Sequence, residues 1–424
     1  MERSVVLSVL NSVRMILVGP VTSFLVAMLF SQKEQGVYYL FRSLIGMSVA
    51  AEFGLPLILS PLISHEWSTG RKDRWASLCR KAVGFYLVSS PLAAAILFWI
   101  GQRTISNSEH WESSWTVAWA ATCAFCMIDF SLRPFLVILE GCQRMESALK
   151  IRLFQGLMMA LATWVTIGAG GSLLSLACGY LASILVGLTG LFLLRELFLP
   201  ILRRTSDKLS WSQEIWPLQW RLGLGSLGSA YSAGMIVKIV FDDRGPEAAG
   251  RLGLAMAVSQ LLLMVSYSWV QTKAPQIALL VAQGQRQELD RSFSRILRLQ
   301  VLTTLLGMGC ILAGIALLHH YHFRIATRLV EFYPLTLLLL SAFLNGLFAA
   351  WSIYVRAHRE EPYLGVTLVF SVAMVATTVL LTHQFGVLGA CWAQLLVPAL
   401  AFPWQFWIWR RCRRRHQQSG EGVL

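Results

Sequence analysis

Charge is scarce in this sequence, and acidic charge is scarcer than basic. Lys, Arg, Asp and Glu make up 14% of the 424 residues while hydrophobic residues make up 56%, where a soluble domain carries roughly a quarter of its residues charged. That balance excludes an ordinary soluble domain and implies a chain that crosses a membrane many times. Long polar segments are also missing: the longest stretch on the predicted outer side, 103 to 114, has about a dozen residues, so no folded catalytic domain fits outside the bilayer. The sequence holds no Walker motif, no Ser-His-Asp set and no metal-ligand spacing, and is read as non-enzymatic, without cofactor or metal. Eight scattered cysteines form no disulfide framework, and Cys123-x-x-Cys126 lies in an apolar run with no second pair, which favours packing. There is no signal-peptide pattern; Val5–Phe30 is too long for an h-region and reads as a first spanning helix.

Apolar runs long enough to span, about 20 residues each, number twelve. They are Val5–Phe30, Val37–Ile63, Ala82–Ile100, Trp115–Leu139, Ile151–Gly168 and Leu173–Leu194, then Leu218–Phe241, Leu252–Ala282, Leu299–Leu318, Leu329–Ile353, Tyr363–Thr382 and Phe385–Trp409. With the N-terminus inside, 24 Lys and Arg residues fall in cytoplasmic segments and 6 in external ones. Cytoplasmic enrichment of this kind sets orientation, so both termini are expected in the cytoplasm. The same distribution accounts for most of the net charge of +14 without a nucleic-acid partner. The Arg-rich tail after Trp409 suits anionic membrane lipids. Trp111, Trp115, Trp211, Trp216, Trp404 and Trp407 fall at predicted helix ends, as interfacial anchors do.

The domain organisation expected is a six-helix lobe over 1–200, a cytoplasmic loop over 201–217, a second six-helix lobe over 218–409 and a basic tail over 410–424. Both lobes begin on the same side, so they are parallel repeats. An offset of 214 residues places Gly36 on Gly250, Leu40 on Leu254, Pro61 on Pro275, Ile63 on Ile277 and Gly70 on Gly284. The Gly and Pro among these set backbone geometry, which implies one helical hairpin repeated in each half, as in many transporters.

An ionisable side chain mid-bilayer costs at least about 2.5 kcal/mol and marks a functional candidate. Glu52 lies about 22 Å into its helix, too deep for a short side chain to escape, beside Gly54 and Pro56. Burial disfavours its charged form, which makes it a candidate proton carrier, or else a structural partner of a nearby Arg. Arg14, nine residues into the first helix, offers a donor fork matched to phosphate oxygens. Asp129 and Arg133 are spaced to pair on one helix, either for structure or for function. Lys273 precedes Ala274-Pro275 in the repeated hairpin and reads as a cavity residue; Arg42, Arg221 and Lys238 reach the interface or stand at a cavity mouth. Six bases against two acids suit an anionic substrate. Gly223-Leu-Gly225-Ser-Leu-Gly228 matches a dinucleotide fingerprint but follows no strand, and His319, His320 and His322 read as a solvated loop.

Twelve spans in two halves, a basic central loop, Gly36-x-Tyr38 and Glu52-Phe-Gly-Leu55 followed by Ile63-Ser64 resemble the polysaccharide transporters. These are the O-antigen-type flippases of the multidrug/oligosaccharidyl-lipid/polysaccharide flippase superfamily, which also holds multidrug and toxin extrusion proteins and lipid II flippases. The resemblance implies two lobes around a central cavity and alternating access. It implies an undecaprenyl-diphosphate-linked oligosaccharide as substrate in a bacterial inner membrane, polysaccharide assembly proteins as partners, and proton or sodium coupling. Arg14, Arg133 and Lys273 would then contact the diphosphate or anionic sugars, with Arg42, Arg221 and Lys238 at the mouth and Glu52 and Asp129 as ion-coupling or counter-charge sites. A cation-coupled drug exporter of the same superfamily is the alternative. A membrane polysaccharide polymerase is a further one, disfavoured by the short external loops.

Overall fold

In the computed structural model, which describes residues 2–108, 111–202, 210–358 and 362–418, every regular element is helical. Helix α1 (Glu2–Leu29) is followed by α2 (Gln32–Gly46), a 3₁₀ turn (Met47–Glu52) and α3 (Leu55–Ser68), then α4 (Lys72–Ser106), α5 (Ser113–Gly141), α6 (Met145–Gly168) and α7 (Leu174–Leu193). Short α8 (Arg195–Leu202) and α9 (Trp211–Glu214) lead into α10 (Trp216–Ala282). The order closes with α11 (Arg286–His320), α12 (Phe332–Ala357), α13 (Leu364–Phe385) and α14 (Val387–Gln418).

Among the described residues ten helices are long and apolar enough to cross a membrane, and the bent pair Gln32–Glu52 and Leu55–Ser68 adds an eleventh span. The 67 residues of α10 would run about 100 Å as one rod, three times a bilayer core. They are broken at Gly245 (φ 81°, ψ 177°), a conformation essentially restricted to glycine, and so make two spans. Twelve spans result, as the sequence predicts, and the chain is an all-α polytopic membrane protein. Val88, Leu193, Val372 and Leu400 are 71–74% exposed, which only a lipid solvent makes favourable.

The repeat read from five residues extends through the structure. At the same offset of 214, α2 to α3 (Gln32–Ser68) falls on residues 246–282, and α4 (Lys72–Ser106) falls end for end on α11 (Arg286–His320). The turn hydrogen bonds coincide too: the N–H groups of Gly70, Arg71, Lys72 and Trp75 bond the carbonyls of Trp67, Glu66, Gly70 and Arg71. Those of Gly284, Gln285, Arg286 and Leu289 bond Val281, Leu280, Gly284 and Gln285. Gly70 (φ 71°) and Gly284 (φ 68°) both take the left-handed conformation that closes this turn.

The copies diverge at Glu52. The sequence predicts one helix over Val37–Ile63, but the span bends by 43°, with Phe53 (φ 48°) and Gly54 (φ 69°) both left-handed. Gly54 carries that geometry without a Cβ penalty, and a Cβ there would come within 2.6 Å of Leu222. Pro56 follows in the first turn of α3, where its missing N–H costs nothing. The second copy has Tyr267-Ser268 at the matching places, and its helix runs unbroken.

Other boundaries shift. Arg244 and Arg251, expected in an external loop, lie within α10, which spends only one residue on the break. The basic tail continues α14 to Gln418, because arginine is a good helix former and no breaker precedes Ser419-Gly420. Trp115, expected at an interface, is packed inside at 2% exposure. Arg203, Arg204, Lys208 and Arg359, in segments expected to be cytoplasmic, lie outside the described residues.

The chain packs as two compact units, Met1–Pro246 and Glu247–Leu424. The first unit takes in segment 216–246 because that segment packs on α2 and α3. The Ser43 hydroxyl donates to the Gly234 carbonyl at 3.0 Å, and a Cβ on Gly36 would come within 1.8 Å of the Pro246 carbonyl oxygen. A capping box starts α2: Ser31 and Glu34 satisfy each other's backbone N–H. Glu34 also accepts from the Ser172 hydroxyl in the turn before α7. In the second unit an aromatic cluster of Phe293, Trp351, Tyr354 and Trp409 ties α11, α12 and α14 together.

Gly36→Ala is therefore expected to force α2 from segment 246 and cost about 1–3 kcal/mol, the range for overpacking. A lowered melting temperature of the purified protein checks it, while Gly84→Ala, with nothing within 4 Å, serves as the neutral control.

Candidate functional site

The break after Glu52 ends the 3₁₀ turn and delivers that carboxylate to α5. Arg133 Nη1 donates to Glu52 Oε1 at 2.7 Å. The side chains are 32% and 16% exposed, so each charge offsets the other's desolvation. The guanidinium also lies 5.2 Å from the Phe130 ring centroid, a favourable face for a cation. Asp129, one turn earlier, accepts from the Ser183 hydroxyl of α7 at 2.6 Å. The i,i+4 spacing of Asp129 and Arg133 thus does not make them direct partners: Arg133 turns to Glu52 and Asp129 to Ser183. Tyr86 on α4 packs its ring 5.1 Å from Phe130, and its buried hydroxyl has no hydrogen-bond partner among the described residues.

Glu52, Asp129 and Arg133 are therefore gathered in one cluster by the 3₁₀ turn, α5 and α7. Ser183 and Tyr86 join it without having been singled out in the sequence; a polar group in an otherwise apolar run was their signal. Among the described residues, the corresponding positions of the second repeat do not reproduce it. Ser266 stands at the 214-residue counterpart of Glu52, and α12 carries no charged residue before Arg356.

The remaining candidates do not join the cluster. Arg14 is half-buried between α1 and α6, its guanidinium seated on Gly156, where a Cβ would meet Nη1 at 1.5 Å. Its buried Nε has no hydrogen-bond partner among the described residues. One turn away Asn11 fastens the same pair of helices, donating to the Leu149 carbonyl at 3.1 Å. Lys238 pairs with Asp242 and lines a separate cavity of about 520 Å³ with Arg103, Trp99 and Tyr231. Arg42 and Arg221 are exposed in the first unit, Arg221 lying over Trp220, and Lys273 is exposed in the second. The cationic excess counted from sequence is smaller in the fold, since Lys238 has a carboxylate partner, Asp242, outside that count. Among the described residues no three His, Cys, Asp or Glu side chains are placed to hold a metal ion.

A guanidinium has five donors, and the contact with Glu52 employs Nη1 alone. The arrangement is a partly accessible cation held by an exchangeable carboxylate, within reach of a second carboxylate on the same helix. Chemically it suits exchange: an anion competing for Arg133 would release Glu52.

No protein-family model and no curated protein matches the sequence. Solved structures match the fold. An inward-facing conformation of a multidrug resistance MATE family transporter of the MOP superfamily aligns with TM-score 0.71 at 12% identity, covering 97% of this chain and 99% of that one. Lipid II flippase MurJ in an inward closed conformation aligns with TM-score 0.70 at 11% identity, covering 97% and 90%. An outward-facing conformation of a multidrug resistance MATE family transporter aligns with TM-score 0.60 at 12% identity, covering 99% and 97%. The chain shares its fold with these structures, two of them transporters and one a flippase.

If Glu52 and Arg133 compensate each other, removing one charge is worse than removing both. Glu52→Gln alone is expected to lower the melting temperature more than Glu52→Gln combined with Arg133→Gln, by a coupling of about 0.5–3 kcal/mol. A double-mutant cycle on the purified protein reads it, and additive effects would show that the two side chains do not interact.

Proposed function

We propose that this protein is a flippase that moves an undecaprenyl-diphosphate-linked oligosaccharide across the bacterial inner membrane by alternating access, for surface polysaccharide biosynthesis. The observation that carries this reading is Arg133, a cation inside the first repeat held at one point by Glu52 with no charged counterpart in the second. A diphosphate arriving at that guanidinium gains charge-assisted, bidentate contacts that Glu52 does not fully use. Glu52, once displaced, becomes the proton or counter-charge site, with Asp129 beside it. Arg14, between α1 and α6, is assigned to the substrate path. Arg42, Arg221, Lys238 and Lys273 are assigned to its mouth. The two six-helix repeats act as the moving lobes, and the basic bias of the loops sets both termini in the cytoplasm. Polysaccharide assembly proteins are the expected partners.

A cation-coupled multidrug exporter is the second reading. It is favoured by the multidrug resistance MATE transporters among the matching structures and by the two intramembrane carboxylates, which suit a cationic ligand.

Proteoliposomes separate the two. Leaflet accessibility of a labelled undecaprenyl-diphosphate oligosaccharide, with and without a pH gradient, is expected to change only when the protein is present. Arg133→Ala should slow transfer by about tenfold or more, as loss of a hydrogen bond to a charged group worth about 1.5–3 kcal/mol implies. Transfer that responds to the gradient in the wild type but not in Glu52→Gln supports proton coupling. No glycan transfer, with a cationic dye moving instead, establishes the exporter.

A further inference from the structure

At one end of the second unit the turn 283–285, the end of α12 and the Arg-rich end of α14 enclose a cavity of about 560 Å³, lined by Gly284, Arg286, Asp290, Tyr354, His358 and Arg413 among others. Its volume is that of a site for a small organic ligand. Two guanidinium groups and an imidazole face one carboxylate. Arg413 Nη2 donates to Asp290 Oδ2 at 3.0 Å, and its guanidinium lies 5.5 Å from the Trp409 ring centroid. Its Nε is buried without a hydrogen-bond partner among the described residues. The Tyr354 hydroxyl donates to Asp290 Oδ1 at 3.4 Å, so the carboxylate is engaged on both oxygens. His358 Nδ1 donates to the Tyr354 carbonyl at 2.9 Å, which fixes the ring at the cavity wall. The 35-residue helix α11 begins here with no side-chain cap, adding the partial positive charge of a helix start. Glu288 in its first turn is exposed and is not among the lining residues.

The internal repeat places larger side chains at two of the positions that line this cavity. Val281 and Leu289 line it. Their counterparts at the 214-residue offset are Trp67 and Trp75, whose rings pack 5.3 Å apart with Trp75 only 3% exposed. The first copy carries two indoles where the second carries the smaller Val281 and Leu289 beside Arg286, Asp290, His358 and Arg413.

We propose that this cavity binds a phosphate group, either the headgroup phosphate of an anionic phospholipid or free phosphate. The binding is independent of what the protein transports. Gly284 keeps the entrance free of a side chain, Arg286 and Arg413 supply the charge, and Asp290 holds Arg413 in place rather than competing for the ligand.

The test uses the full-length protein, delipidated in detergent and titrated separately with phosphatidylglycerol, phosphatidylcholine and inorganic phosphate, with binding read by native mass spectrometry and by melting temperature. Phosphatidylglycerol should be retained in preference to phosphatidylcholine. Arg286→Ala should weaken that retention about fivefold, the loss of one basic residue's attraction to an anionic headgroup. Val281→Trp, which copies the first repeat without changing charge, should weaken it at least as much. Stabilisation by inorganic phosphate that both variants lose upholds the site with a soluble ligand. Equal retention of the two lipids with no response to phosphate overturns the proposal, as does phosphatidylglycerol binding that survives in both variants. Should either variant fail to fold, His358→Gln replaces it under the same criteria.

Discussion

Inside a bilayer no water is available to a peptide group, so each N–H and C=O must find its partner within the chain. That constraint makes every described element of this protein helical and makes each interruption costly. The two interruptions that matter are built on glycine. At Gly245 one residue separates two spans, and at Gly54 a left-handed pair turns the chain between the 3₁₀ turn and α3. The second has chemical consequences. A straight helix would leave Glu52 somewhere on a lipid-facing or helix-facing stripe, whereas the bend carries it onto Arg133.

The same low dielectric decides how the charges are kept. The more buried of the intramembrane charges survive by different means. Arg133 has a carboxylate and an aromatic face. Asp129 has a hydroxyl donor, and Lys238 has an acid one turn away. Arg14 relies on space cleared by Gly156, with one donor left unmatched. A charge with a single exchangeable partner is the more useful for transport, because moving a ligand past it only swaps one contact for another. That places the weight of the proposed mechanism on the Glu52–Arg133 pair.

The two copies share a backbone and carry different side-chain clusters. The copies keep the backbone devices, above all the left-handed glycine turn that launches α4 and α11 with identical hydrogen bonds. They differ in side chains. The first copy holds the buried charge cluster and closes its turn with Trp67 and Trp75; the second holds Ser266 in place of Glu52 and leaves a cationic cavity open at its turn.

Much of this was legible in the sequence. Hydropathy runs marked twelve spans because burial in lipid demands about 20 apolar residues wherever it occurs, and Gly and Pro marked the repeat because they act on the backbone locally. Glu52, Arg133 and Asp129 stood out by the cost of charge in an apolar run. Pairing was not legible: the i,i+4 spacing favoured Asp129 with Arg133, yet Glu52, 81 residues away, is the partner. Nor was the fate of Arg14 or of the polar Ser183 and Tyr86, whose neighbours lie on other helices. Spacing along one helix determines which side chains share its face, while only the packing of helices against one another decides what each charge meets, because an electrostatic partner is chosen by distance in space and not by distance along the chain.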